Sequence, residues 1–433
     1  MSKSTKILST LLACSLVLCA GLLYKVFFAP PQKVVQRMYP QDEPSDRNLS
    51  LYRELYAKPV SEWSKPDIDE SIKNEWQEFA PLPQAQHPQD NPYSDIKAFL
   101  GQKLFNDPKL SKSGQIACQN CHNRELAFTD GLSLSYGHDR QRGRRNAPSA
   151  LMAAFFDELF WDGRAKGLEE QTLGPITDPV EMANTLENAE NSIKNSKEYY
   201  PIFAAAFGDK AMQKAWAKHF PQLFEKDERK RLRAFFNNAV KINATKIDAF
   251  SNDEIDAVRE LITIKNIAKA ISTYERSFVV PRGSRFNAFL KGDYRFMSDK
   301  ELWGLDIFRN KGKCMNCHYG AILSDKKFHN IGLAFYGRKL QDLGRYEVTQ
   351  NPEDVGKFKT PSLVGVSRSA PYMHNGIFPH LVGIINMYNA GFPVAVVKGT
   401  ENDPLLPKTD PLIQKLNLTR DEILALEAFL KTL

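Results

Sequence analysis

Cys118-Gln-Asn-Cys121-His122 and Cys314-Met-Asn-Cys317-His318 are two copies of one pattern, Cys-x-x-Cys-His, and their reading decides the fold. Two thiols one helical turn apart can add to the two vinyl groups of a porphyrin, and the histidine that follows can ligate the iron. The motifs use four of the six cysteines. The other two, Cys14 and Cys19, lie in an apolar N-terminal stretch and read as filling residues. A zinc half-site needs two further ligands near each pair, and no cysteine is left to supply them. A redox dithiol needs a strand before it and a helix after it. Here turn-rich stretches precede the motifs, Leu110-Ser-Lys-Ser-Gly114 and Asn310-Lys-Gly-Lys313. The sequence therefore points to two covalently bound c-type haems, far apart in the chain and each in its own domain.

Composition sets the frame around them. At 433 residues the chain has room for two or three domains. Charged residues at 25% and aromatics at 11% are ordinary for a globular protein. A net charge of +7 is a mild excess; it suits docking of an acidic protein and gives no signal for nucleic acid. Lys3 and Lys6 precede a charge-free apolar run, Ile7–Tyr24, with no Ala-x-Ala site after it. Leu11-Leu-Ala-Cys14 resembles a lipoprotein box only loosely. Residues 1–28 read as an uncleaved membrane anchor, with a cleaved signal peptide as the alternative. Either places the remainder in the periplasm, where c-type haem is attached.

Residues 29–93 are rich in Pro, Gln and charge, as expected of an extended tether that partly folds against the body. From Asp95 the apolar positions Ile96, Phe99, Leu100 and Leu104 take helical spacing. A weak repeat precedes the motifs: Leu100-Gly-Gln-Lys-Leu-Phe105 before the first, Leu302-Trp-Gly-Leu-Asp-Ile-Phe308 before the second. Ser298-Asp-Lys-Glu301 and Thr419-Arg-Asp-Glu422 are capping boxes that open helices. Thr263–Arg276 is apolar at helical spacing, and Ile423, Leu426, Leu430 and Leu433 make a one-sided closing helix. Glu225–Arg233 is a dense charge run, read as a solvated helix face, or alternatively as a docking patch. Strand signals are few. The expected fold is mainly α: two cytochrome c-like haem domains packed together, 94–285 and 286–433, preceded by the N-terminal membrane segment and tether.

Further motifs follow in order: Asp107-Pro-Lys-Leu-Ser111, Ala127-Phe-Thr-Asp-Gly131, Arg145-Asn-Ala-Pro148, Phe160-Trp-Asp-Gly-Arg164, Leu168-Glu-Glu-Gln171 and Pro179-Val-Glu-Met182. Phe358-Lys-Thr-Pro-Ser-Leu363 and Ala370-Pro-Tyr-Met-His-Asn-Gly376 come later. This series resembles the bacterial di-haem cytochrome c peroxidase and MauG family from about Asp95 to Leu433, apart from Lys210 to about Asn252.

The resemblance implies a first, peroxidatic haem and a second haem through which electrons enter. It assigns Gln171 and Glu181 to the distal pocket, where a carboxylate can move the proton that peroxide cleavage requires. It makes Trp161 the tryptophan between the haems, although plain core packing is the commoner role of such a residue. It assigns Asn146, Ser369 and Pro371 to a Ca²⁺ site built from an amide and two carbonyls, with Ser369 in place of the usual threonine. His138 falls either on a labile distal histidine or on a surface loop. The sixth ligand of the second haem is Tyr388 by count from His374, with Met387 adjacent. Methionine raises a haem potential and tyrosinate lowers it. Gly312 stands where the MauG branch can carry a second tryptophan. The implied activity is reduction of hydrogen peroxide to water with electrons from a small cytochrome c, a copper protein or quinol. The alternatives are MauG-like oxidation of a protein or other substrate, and plain electron transfer without catalysis.

Overall fold

The computed structural model describes residues 49–236, 240–278, 283–394 and 396–433. The apolar segment 1–28, with Cys14 and Cys19, lies outside the described residues. Among the described residues no helix is long and apolar enough to cross a membrane.

The fold is mainly helical and is organised by two helix crossings of the same kind. In the first, Asp95–Phe105 packs across Ile264–Phe278. Ser94 starts the former helix by accepting the Lys97 N–H on its hydroxyl. Ala98, Leu100 and Leu104 are fully buried at the contact, each leucine contributing about 1.5–3 kcal/mol of apolar burial. In the second crossing, Asp299–Arg309 packs across Arg420–Leu430. The Ser298/Glu301 and Thr419/Glu422 capping boxes are both formed.

A glycine sits at each crossing point. A Cβ on Gly101 would lie 1.9 Å from the Ala270 carbonyl oxygen, and one on Gly304 would lie 1.9 Å from the Ala425 carbonyl oxygen. The helices touch backbone to backbone, and any side chain there would drive them apart. Aromatic rings then close both crossings: Phe105 against Tyr274 at 5.5 Å between ring centres, and Phe308 against Phe429 at 5.2 Å. From Phe308 the chain turns within a few residues into the second Cys-x-x-Cys-His motif, and from Phe105 it reaches the first through the short helix Pro108–Leu110.

The only strands among the described residues are two short antiparallel pairs, Glu158–Leu159 with Ala165–Lys166 and Phe328–His329 with Phe358–Lys359. Residues 49–79 are wound onto the second crossing. Arg53 pairs with Asp299 at 2.6 Å, and the Tyr56 hydroxyl donates to Asp306 at 2.7 Å. Arg309, fully buried, pairs with Glu78, donates to the Ser64 carbonyl at 2.6 Å and lies over the Trp63 ring. Arg145 joins the two halves by a two-pronged bond to Asp342, 2.7 Å on each arm, and is itself held by a 2.5 Å bond to Asp162 in its own half.

Candidate functional site

Both motifs open into one cavity of about 890 Å³, near the upper end for a small-ligand site. Cys118 and Cys121 lie on the helical turn Cys118–Cys121, and Cys314 begins the turn Cys314–Asn316. The histidines that follow are held alike. His122 Nδ1 is 2.9 Å from the Phe128 carbonyl oxygen, and His318 Nδ1 is 2.9 Å from the Leu323 carbonyl oxygen. A carbonyl only accepts, so Nδ1 carries the proton and donates. Nε2 is left with its lone pair free on both rings, the arrangement of a metal-ligating histidine. Burial pushes both imidazoles below their ordinary pKa, which keeps them neutral.

The thiols are equally informative. Burial pushes Cys118 and Cys314 up to about 12 and Cys121 up to about 11. Reactive dithiols and zinc thiolates sit where a cation or helix end lowers the pKa, and here burial dominates instead. The second motif has one polar cluster beside it: Cys317, Asp325 and His329 have ligand atoms within 4.8 Å of one another. His329 is clamped between Asp325 at 2.7 Å and Asp410 at 2.6 Å. Despite burial, those carboxylates raise its pKa to about 12, so it is an imidazolium and not a free metal ligand. Paired neutral thiols, a histidine with a free Nε2 and a large apolar-walled cavity at both motifs fit a covalently held porphyrin.

The other residues singled out from the sequence divide clearly. Gln171, on the helix Leu168–Thr177, and Glu181, just past its end, both line the cavity, and the Glu181 charge acts on Cys118 and Cys121 of the first motif. Burial and the neighbouring Asp178 charge raise the Glu181 pKa to about 7, against the opposing pull of Arg164. Trp161 also lines the cavity, with its indole N–H donated to the Asn146 carbonyl at 2.9 Å. Asn146, Ser369 and Pro371 all line the same cavity. The Asn146 amide nitrogen donates to the Leu132 carbonyl at 2.7 Å, which turns Oδ1 the other way.

His138 is different. Its backbone N–H is fixed to the carbonyls of Val180 (2.9 Å) and Glu181 (2.8 Å), so its loop lies against the Glu181 turn. Its ring is not part of the cavity wall; Nε2 lies 3.4 Å from Asp139 and Nδ1 is buried with no partner. On the helix Leu381–Asn389, Tyr388 lines the cavity and Met387 does not. Burial raises the Tyr388 pKa further, with the nearby Cys317 and Cys314 sulfurs adding to it. A Cβ on Gly312 would come within 2.7 Å of the Ile307 carbonyl oxygen, so a tryptophan there would not fit this loop. Sequence reasoning missed the cavity-lining roles of Lys359, His374 and Glu275. Lys359 and His374 fall inside the motifs 358–363 and 370–376, whose pattern assigns them no role, and Glu275 lies on the helix Ile264–Phe278, which reads as ordinary core.

The fold and site define a two-centre c-type haem protein whose centres share one cavity. The chain belongs to the di-haem cytochrome c peroxidase family: residues 95–295 match the family described as "Di-haem cytochrome c peroxidase". The cytochrome c551 peroxidase of Nitrosomonas europaea is 34% identical over 280 residues, which cover 64% of this chain and 68% of that protein. The methylamine utilization protein MauG of Methylophilus methylotrophus is 29% identical, covering 70% of this chain and 75% of that one. A solved MauG-like protein associated with microbial copper homeostasis is 28% identical, with a TM-score of 0.58 over 83% of this chain and 95% of its own. Membership implies two c-type haems.

Proposed function

We propose that the chain is a periplasmic di-haem peroxidase that reduces hydrogen peroxide to water. The observation that carries this reading is Glu181 on the cavity wall close enough for its charge to act on Cys118 and Cys121, with Gln171 and Trp161 lining the same cavity. Cys118, Cys121 and His122 hold the first haem in this reading, and Cys314, Cys317 and His318 the second. When bound, the haems supply iron that binds peroxide at one centre and exchanges single electrons at both.

The protein residues divide the remaining work. Glu181 accepts a proton from one peroxide oxygen and returns it to the other, which leaves as water; two electrons and two further protons complete two water molecules. Its raised pKa of about 7 matches a group that must both take and give a proton near neutrality. The Gln171 amide holds peroxide in place through its N–H. Trp161, fixed through its indole N–H, stands as the relay between the centres. His138 rests against the Glu181 turn, where a small loop movement would bring it to the first centre or away from it. Asn146 Oδ1 with the carbonyls of Ser369 and Pro371 forms the Ca²⁺ site in this reading. The donor is a small cytochrome, a copper protein or quinol, and the apolar segment Ile7–Tyr24 holds the enzyme to the inner membrane.

One observation favours a second reading. Tyr388, not Met387, faces the cavity, and a tyrosinate ligand suits MauG-like oxidation of another substrate. The crowding at Gly312 counts against a close copy of that chemistry, because no second relay tryptophan fits. The test is peroxide-dependent oxidation of a reduced small cytochrome c by the purified protein. Catalytic turnover supports the peroxidase. No turnover, together with oxidation of an added protein by peroxide, supports the second reading.

A further inference from the structure

Two nitrogens on the cavity wall have no hydrogen-bond or ion-pair partner among the described residues: His374 Nε2, which is buried, and Lys359 Nζ, on a half-buried side chain. Lys359 ends the short strand Phe358–Lys359, and its backbone N–H donates to the Trp161 carbonyl at 2.8 Å. Its ammonium lies 3.8 Å from the centre of the Phe156 ring and lines the cavity. No carboxylate among the described residues pairs with it. The nearest opposing charge it feels, Glu158, is engaged by Arg345 at 3.1 Å. His374, only 4% exposed, also lines the cavity. Its ring stacks on Phe358 at 3.6 Å between centres and lies 6.4 Å from Trp161. Its Nε2 is buried with no partner.

Neither group has a part in the proton chemistry proposed above. An unpaired cation and an unpaired imidazole nitrogen are both costly in an apolar wall, and a carboxylate occupant would satisfy both, with Nε2 protonated. A porphyrin of the kind the family binds carries two carboxylates. We propose that Lys359 Nζ and His374 Nε2 are the seats of haem carboxylates at the seam beside Trp161. Lys359 makes the ion pair and His374 donates a neutral hydrogen bond. Phe358, the residue before Lys359, stacks on the His374 ring and holds it in place. Burial alone holds the Lys359 pKa down to about 7; a carboxylate beside it keeps the ammonium charged. The electrostatic consequence has a definite sign. A cation at a haem edge favours the reduced state, so losing it lowers the potential of that haem.

This inference rests on the two-haem reading, and the experiment separates the two. Lys359→Met, Lys359→Arg and His374→Phe are made in the full chain. Bound haem is counted by mass after denaturation, and both midpoint potentials are read by spectroelectrochemistry. Carboxylate bands are followed in oxidised-minus-reduced infrared spectra. Lys359→Met should keep two haems, lower one potential and move a carboxylate band, while Lys359→Arg stays close to the parent. His374→Phe, which preserves the stacking, should shift a carboxylate band with a smaller change in potential. Two bound haems with parent potentials and unmoved carboxylate bands in both Lys359→Met and His374→Phe would overturn the inference. Absence of haem from the parent protein would instead remove the two-haem reading.

Discussion

At the scale of single residues, Glu181 concentrates the chemistry. Its carboxyl is raised to about 7 by burial and by Asp178, so half of it is protonated near neutrality. If the carboxylate is the form that accepts the peroxide proton, the rate of peroxide cleavage should rise with pH along a one-proton curve centred near 7. Glu181→Gln should keep both haems, flatten that curve and slow cleavage by about 100-fold or more, the usual scale of positioned proton transfer. Rapid-mixing measurements across pH check this; an unchanged profile in the variant would remove Glu181 from the mechanism. Tyr388 gives the second residue-scale prediction. Tyr388→Phe should change the spectrum of the second haem and Met387→Leu should leave it nearly alone, because only Tyr388 lines the cavity. The reverse pattern, with loss of the near-infrared methionine-to-iron band in Met387→Leu, would make Met387 the ligand. The family resemblance and a count along one helix pointed to these positions. They could not show which of two neighbours on one helix turns inward, since that depends on the helix's rotation against the cavity.

At the scale of elements, the two glycine crossings explain why the repeat is only weakly visible in sequence. What recurs is a backbone contact, Gly101 on Ala270 and Gly304 on Ala425, and such a contact leaves just one small residue as its trace. The helices themselves were legible from apolar spacing and from the Ser298/Glu301 and Thr419/Glu422 caps. Their partners were not. Thr263–Arg276 reads as a helix from its apolar spacing, and only the fold shows that it packs across Asp95–Phe105. Gly304→Leu should destabilise the second half by overpacking, by about 1–3 kcal/mol or more, and thermal unfolding should show it as a lower midpoint. The same substitution at an exposed site on that helix, such as Lys300, should cost little. The strap over residues 49–79 was hidden for a different reason. Its average composition is that of a linker, and its few apolar anchors, Tyr56, Trp63, Ile72 and Phe79, are buried one by one.

At the scale of the molecule, Arg145 ties the halves together beside the cavity. Its partners Asp162 and Asp342 are 5% and 8% exposed in their side chains. Breaking a buried ion pair by removing one partner typically costs about 3–5 kcal/mol. Arg145→Met should therefore lower stability by that order in denaturant unfolding. Acid should act on the same contact. Burial works to raise the Asp342 pKa, but the Arg145 hydrogen bonds and charge outweigh it and the value is lowered. The stability this contributes is present above the unfolded carboxylate pKa of about 4 and is lost as pH falls through the lowered folded value. No local pattern announced the Arg145–Asp342 pairing, because its members are 197 residues apart in the chain.

The central claim is that two haems in one chain act together on one peroxide. Reduction of H₂O₂ to two waters takes two electrons, and two reduced haems hold two. The most direct measurement is an anaerobic titration of the fully reduced protein with hydrogen peroxide, followed by absorbance. One equivalent of peroxide per chain should return both haems to the oxidised state. A spectrum that peroxide leaves unchanged, or a purified chain with no covalently bound haem, would contradict the account.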